Sequence, residues 1–152
     1  MLQTQPVIES DFEAMLALRI EALRESLERL GRFNPDVARA RLRAQFRPEW
    51  MLHLVQGAER VGYFTVEPQA DALHLHHLYL RPAAQGQGIG SWVIEQVKAR
   101  ARQAQLPITL GALRESRAND FYRRHGFELV EVRDFDNQYR WLPERLAAGA
   151  AA

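Results

Sequence analysis

The segment Leu73-His74-Leu75-His76-His77-Leu78 holds three of the chain's five histidines. An imidazole titrates near ~6.5, so it can take up or release a proton at neutral pH. On a strand, alternate residues share a face. His74 and His76 therefore stand together, about 6.7 Å apart, while His77 points the other way and reads as structural. Histidines at i and i+2 can also share a metal ion. With no cysteine in the chain and no carboxylate in phase, no metal site is expected. A second candidate is the turn Gln85-Gly86-Gln87-Gly88-Ile89-Gly90, followed by Ser91. Where a glycine-rich turn opens a helix, unpaired N–H groups and the helix dipole favour a phosphate, and the glycines let it approach. A nucleotide P-loop would end in Gly-Lys-Ser/Thr, whereas Gly90-Ser91 has no lysine. A dinucleotide fingerprint would need G-x-G-x-x-G early in a βαβ unit. Neither pattern is met, which leaves another phosphate-bearing ligand or a plain structural turn.

These groups need a scaffold. Ser10 and Glu13 have capping-box spacing, and Phe12, Met15, Leu16, Ile20, Leu23 and Leu27 recur at helical period, predicting a helix from Asp11 to Leu30. Gly31 and Asn34-Pro35 break it. A second amphipathic helix is predicted from Pro35 to Phe46, with Val37, Leu42 and Phe46 inward and Arg39, Arg41 and Arg43 on a solvated face. The period then changes. Trp50–Gln56 and Val61–Val66 flank a hairpin turn, and a third strand runs from Ala72 to Leu80. After the Gly-rich turn a helix is predicted from Ile89 to Gln103, with Ile89, Trp92, Val93, Val97 and Ala101 buried. A strand from Ile108 to Ala112 follows, then a helix from Arg117 to His125 stopped by Gly126. Strands Phe127–Arg133 and Gln138–Leu142 close the chain around a turn at Asp136-Asn137. The expected architecture is α+β, or mixed α/β, around one mostly antiparallel sheet flanked by helices. One domain spans 1–146, and the Ala-rich 147–152 is a disordered tail.

Composition narrows the function classes. The 152 residues carry 20 Lys+Arg against 19 Asp+Glu, a formal charge of +1, so no field favours nucleic acid or a membrane surface. No leader segment and no apolar run of about 20 residues stands out, which fits a cytoplasmic protein. Without cysteine there is no thiol nucleophile.

Gln85-x-x-Gly88-x-Gly90, after a strand ending Tyr79-Leu80-Arg81-Pro82, resembles the Q/R-x-x-G-x-G/A acyl-CoA motif of the GNAT acetyltransferases. Farther on, Ala118-x-x-Phe121-Tyr122-x-x-x-Gly126-Phe127 resembles that family's A-x-x-F/L-Y-x-x-x-G-F signature. The resemblance covers nearly the whole chain and implies the GNAT fold, acetyl-CoA as cosubstrate and no metal. It implies that the amides of Gln85, Gly86, Gln87, Gly88, Ile89 and Gly90 hold the pyrophosphate, with Ser91 behind. It also implies that the main chain at Leu78, Tyr79 and Leu80 pairs with pantetheine. Tyr122 would give a proton to the departing thiolate, and the N–H near Leu80 would face the thioester oxygen. The family's pantetheine-contacting Asn, seven residues before the Tyr, is here Glu115; Asn119 is the nearby substitute, at a different helical phase. His74 falls where many members place a catalytic Glu, and His74-Leu75-His76 is similar to the H-x-H pair of arylalkylamine N-acetyltransferases.

Amide formation needs a neutral amine, so His74 and His76 are the expected proton acceptors, directly or through water. With no cysteine to carry an acyl group, direct transfer in a ternary complex to a primary amine is expected. The acceptor is a small molecule or a peptide, and a homodimer is left open. Glu21, Glu25 and Glu28 are candidate attractors for a cationic amine, and Phe33, Trp50 and Tyr139 are candidate pocket aromatics. A non-catalytic acyl-CoA sensor is the rival reading; it would keep the Gly turn without the proton-transfer groups.

Overall fold

The computed structural model describes residues 1–29, 31 and 33–146. Leu30, Arg32 and the tail 147–152, for which a helix end, a linker and disorder were expected, lie outside the described residues. The chain divides into two compact units, Met1–Thr65 with His77–Ile89, and Val66–His76 with Gly90 onward. It passes from one to the other within two strands and at the start of one helix.

In the first unit, β1 (Leu2–Pro6) pairs antiparallel with β2 (Met51–Gln56), from Leu2↔Gln56 to Pro6↔Leu52. The sequence gives no period-2 signal for β1, because Leu-Gln-Thr-Gln-Pro is almost wholly polar and mostly exposed. Its backbone N–H and C=O groups, satisfied along β2, make it a strand, at the edge where Pro6 is tolerated. A 3-10 turn at Glu9–Asp11 leads into α1 (Phe12–Arg29). The capping acceptor is Asp11, whose Oδ2 receives the Ile8 N–H at 3.0 Å, rather than Ser10. Asn34 caps α2 (Pro35–Gln45), its Oδ1 accepting the N–H groups of Asp36 and Val37, with Pro35 in the first turn. Phe12, Met15 and Leu16 of α1 pack against Leu42, Phe46, Met51 and Tyr63. Each buries on the order of 1.5–3 kcal/mol of apolar surface. Val37 is exposed, contrary to its expected inward position. Arg39 and Arg43 reach across to Glu13 and Glu9 instead of forming an anion site.

β3 (Glu59–Pro68) and β4 (Leu73–Leu80) run from one unit into the other. In the second unit β4 pairs parallel with β5 (Ile108–Leu113) over Leu73↔Ile108, His74↔Thr109 and Leu75↔Leu110. β5 pairs antiparallel with β7 (Asp136–Trp141), and β7 with β6 (Glu128–Val132). The turn between β6 and β7 lies at Asp134-Phe135, two residues before the expected place, closed by Arg133 N–H to Asp136 O at 2.8 Å. The strand order is β1-β2-β3-β4-β5-β7-β6. Helix α3 (Ile89–Ala104) buries Ile89, Val93, Ile94, Val97 and Ala101. Trp92 is only half-buried, and Ile94 takes its expected place in the stripe. Helix α4 (Ala118–Arg124) ends at Gly126, whose φ of 84° allows Phe127 N–H to reach Tyr122 O at 3.1 Å.

Gly62 of β3 is where β4 comes closest: a Cβ there would collide with the Tyr79 carbonyl oxygen and would lie 2.8 Å from Leu80 Cδ2. Because a backbone oxygen cannot swing aside, Gly62→Ala should cost about 2–4 kcal/mol, measured as a lower midpoint in urea unfolding with unchanged slope.

Candidate functional site

In the first unit, the Gly-rich turn hangs from the end of β4 by its own side chains. Gln85 Nε2 donates to Leu80 O at 3.1 Å, and Gln87 Nε2 donates to Ala83 O at 2.9 Å. Gly86 and Gly88 have φ of 76° and 81°, the left-handed region that side chains rarely adopt. A Cβ on either would meet nothing within 4 Å, and the Gly88 N–H donates to no acceptor among the described residues. Open space, free donors and the following start of α3 fit a pyrophosphate. Leu78, Tyr79 and Leu80 form the end of β4. The Arg81 N–H bonds to Val61 O of β3 at 2.9 Å, so strand alternation turns the Leu80 N–H to the opposite edge of β4.

The same unit holds a cavity of about 330 Å³ lined by Met15, Leu18, Glu21, His53, Arg60 and Arg81 among others. Glu21 lies 3.2 Å from Arg81, and Glu28 lies 2.8 Å from Arg24. Two of the three candidate acids are thus paired with arginines. Behind this cavity, His53 Nε2 and Asp11 Oδ2 are 2.9 Å apart, and Arg60 Nη1 is 3.3 Å from Asp11 Oδ1. Burial raises the Asp11 carboxyl. The His53 hydrogen bond, the Ile8 N–H and the Arg60 charge outweigh it and leave Asp11 below the ordinary carboxylate value. Phe33 is covered by the Arg24 guanidinium at 4.9 Å, and Trp50 is half-buried in a 3-10 turn.

In the second unit the structure brings His74 and His76 together, ring centroids 4.5 Å apart. His74 Nδ1 lies 2.6 Å from Thr109 Oγ1, and His76 Nε2 lies 2.8 Å from Glu67 Oε1. Thr109 and Glu67 thus flank the pair, each bonded to one imidazole, and the two rings meet edge-on. Burial and the neighbouring His76, partly offset by Glu67, hold His74 below the usual histidine value. The hydrogen bond from His76 lowers Glu67, with help from Gln69, so Glu67 stays a carboxylate. The sequence reading missed both partners. Glu67 lies on β3 and Thr109 on β5, and only strand pairing carries them to β4.

Ser91, in the first turn of α3, has its Oγ 3.0 Å from His125 Nε2. His125 is lowered by burial and by Lys98, whose Nζ donates to the His125 carbonyl at 2.5 Å. Gly90 packs against Phe121, 3.2 Å from where its Cβ would be. The Tyr122 ring is half-buried between Phe121, Phe127 and Tyr139. His125 is inside the second motif at an unspecified position, so the motif does not mark it.

Asn119, the expected substitute at the pantetheine contact, sits among buried polar groups. It is 7% exposed, and its Nδ2 donates to the carbonyls of Leu113, Arg114 and Ser116. Its Oδ1 accepts from Asn137 Nδ2 at 3.0 Å and Tyr139 Oη at 2.7 Å. Both amide protons and both lone pairs of its side chain are engaged within the protein. Tyr139, a candidate pocket aromatic, is buried in the same knot. Among the described residues no group of three or more His, Cys, Asp or Glu side chains is arranged to hold a metal ion. No described helix is long and apolar enough to cross a membrane.

This mostly antiparallel sheet with flanking helices, and a Gly-rich turn leading from its fourth strand into a helix, defines the GNAT-type acyl-CoA N-acyltransferase fold. The family model described as acetyltransferase (GNAT) domain matches residues 21–147, and the chain belongs to that family. The fold is similar to that of the PaiA N-acetyltransferase from Thermoplasma acidophilum in complex with coenzyme A, at 16% identity and TM-score 0.75, covering 93% of this chain and 99% of that one. An acetyltransferase from Thermus thermophilus is similar at 19% identity and TM-score 0.76, with 93% and 97% covered. The ribosomal-protein-S18-alanine N-acetyltransferase from Escherichia coli is similar at 14% identity and TM-score 0.70, with 92% and 91% covered. No curated protein matches the sequence.

If Asn119 is a structural hub, Asn119→Ala strands the hydroxyl of Tyr139 and three carbonyls. The expected loss is about 3 kcal/mol, a fall of roughly 10 °C in Tm by calorimetry.

Proposed function

We propose that the protein transfers the acetyl group of acetyl-CoA to a primary amine by direct attack in a ternary complex. The observation that carries this reading is the left-handed Gly86/Gly88 turn, pinned to β4 and opening into α3, in a chain of this family. The turn's amides and the start of α3 hold the pyrophosphate. The free edge of β4 at Leu78 to Leu80 pairs with the pantetheine arm, and the Leu80 N–H polarises the thioester oxygen. The amine nitrogen forms its bond to the acyl carbon as the C–S bond breaks. Tyr122 gives its phenolic proton to the thiolate. The amine's surplus proton leaves through His74 and His76, with Glu67 positioning His76 and Thr109 positioning His74. The CoA-bound neighbour supports the cosubstrate, and the acetyltransferase neighbours support the class of reaction.

Two experiments test this reading. CoA at millimolar concentration should raise the Tm of the wild type and of Tyr122→Phe, and should leave Gly88→Val unchanged. With acetyl-CoA and an amine panel, Tyr122→Phe should turn over about 10²-fold more slowly. No thermal shift by CoA in the wild type would remove the basis for the proposal.

The histidine chain has its own pH signature. His74 is lowered, so the neutral, proton-accepting form persists below the ordinary value of 6.5. On an arylamine acceptor, which is already neutral across this range, kcat/KM should rise with pH through a limb below ~6.5 and stay flat above it. His74→Gln with His76→Gln should lower kcat and erase that limb. A double variant with wild-type kcat and an unchanged profile would leave Tyr122 as the only side chain in proton transfer.

A further inference from the structure

A buried cation in the first unit lacks the anion that its surroundings call for. Arg19, on α1, is 6% exposed, and no carboxylate pairs with it among the described residues. Its Nη1 donates to Gln45 Oε1, a neutral acceptor, at 2.8 Å. Its Cζ lies 5.2 Å from the centroid of the Tyr79 ring. Tyr63, whose ring meets that of Tyr79 edge-on at 5.4 Å, is 0% exposed, and its hydroxyl has no hydrogen-bond partner. The Arg19 guanidinium is near enough to act on that hydroxyl by its charge and as an approaching N–H donor, yet burial dominates and pushes the phenol well above its ordinary value. Tyr63 therefore stays protonated, a donor with nowhere to donate.

The same unit shows a buried charge that is fully met. Asp11 is met by His53, Arg60 and the Ile8 N–H. Arg19 has five N–H donors and only neutral oxygens near it, Gln45 Oε1 and the Tyr63 hydroxyl, and a buried guanidinium with no anion beside a phenol with no acceptor is costly. A carboxylate would satisfy both, one oxygen for each tine of the guanidinium fork and a lone pair for the phenol. It has a way in. Gln45 is exposed, and Tyr79 and His77, whose rings stack at 5.7 Å, are half-exposed. The Gln45 amide oxygen holds the place that an incoming carboxylate oxygen would take.

We propose that Arg19 and Tyr63 bind the carboxylate of the acceptor, so that the amines acetylated are those that carry a carboxylate, of the amino-acid type. This rests on the acetyltransferase reading above, in which the main chain of Tyr79 borders the pantetheine arm while its ring covers Arg19. A cationic polyamine would bring charge of the wrong sign to this place.

The test has two arms. In the first, the twenty L-amino acids and their carboxamides are offered with acetyl-CoA, and thiol release is followed. An accepted acid should exceed its carboxamide in kcat/KM by about tenfold or more. The bias of basicity runs the other way, because the carboxamide's amine is the weaker base and more of it is neutral. Arg19→Gln and Tyr63→Phe should each shrink that ratio towards one. In the second arm, the Arg19 Nε–H resonance of CoA-loaded protein, identified by its loss in Arg19→Gln, is titrated with sodium acetate against sodium chloride at equal ionic strength. A saturable, acetate-specific shift that weakens in Tyr63→Phe is expected. If acetate saturates Arg19 and no amine is acetylated, the anion site stands and the acetyltransferase reading falls. Equal rates for acids and carboxamides in the wild type, or no acetate-specific shift, overturns the proposal. Should Arg19→Gln fail to fold, Tyr63→Phe and the wild-type comparison decide alone, with the resonance assigned by Arg-selective labelling.

Discussion

A β-strand has two faces and two edges, and the function proposed for this chain depends on how β4 divides them. Its period of two sets His74 and His76 on one face and His77 and Tyr79 on the other. One edge at its end is closed by the Arg81 N–H on Val61 O. The opposite edge keeps the Leu80 N–H, and the Leu80 carbonyl anchors the Gln85 side chain. A shift of one residue in the register of β4 would exchange both faces at once. The close approach of Tyr79 and Leu80 to Gly62 makes such a slip costly, since any side chain at 62 would meet backbone.

Turn and strand are also tied to each other. The side-chain amides of Gln85 and Gln87 bond to carbonyls at Leu80 and Ala83, so the conformation that suits a phosphate is fixed by groups of the turn itself. Glutamine at 85 is thereby explained by structure: its amide reaches back, leaving main-chain donors for a ligand. Ser91 and His125 do the corresponding work in the second unit, where the first turn of α3 meets the end of α4 through the Ser91 hydroxyl.

The parts legible in the sequence were those set by local rules. Glycines at positive φ, Pro35 in a first turn, Gly126 after α4 and the change from helical to strand period all act within a few residues. β1 escaped because its polar side chains carry no pattern and its order comes from pairing with β2, some fifty residues away. The start of α1 was assigned to Ser10 by spacing, but Asp11 takes the role because His53 and Arg60 hold its carboxylate in place. Asn119 looked like a ligand contact because it stands near Tyr122. Its amide is the point where the ends of β5, α4 and β7 are fastened, through carbonyls and side chains that the sequence does not bring together. Glu67 and Thr109 were invisible for the same reason.

Those two neighbours also resolve what the sequence left symmetric. His74 and His76 are the same residue type on the same face, but one has a hydroxyl beside it and the other a carboxylate. His74 is partly buried, and a charge on it would sit 4.5 Å from a second imidazole, so it is held in the neutral form. His76 lies beside an anion that stays ionised. In the proposed reaction, burial disfavours charge on His74 while the Glu67 carboxylate stands at the His76 end. The asymmetry has two sources, the burial of His74 and the Glu67 carboxylate beside His76. Removing that carboxylate would leave His74 half-buried beside Thr109 and His76 exposed, so the rings would still differ, but His76 would lose the anion that favours charge at its end of the pair.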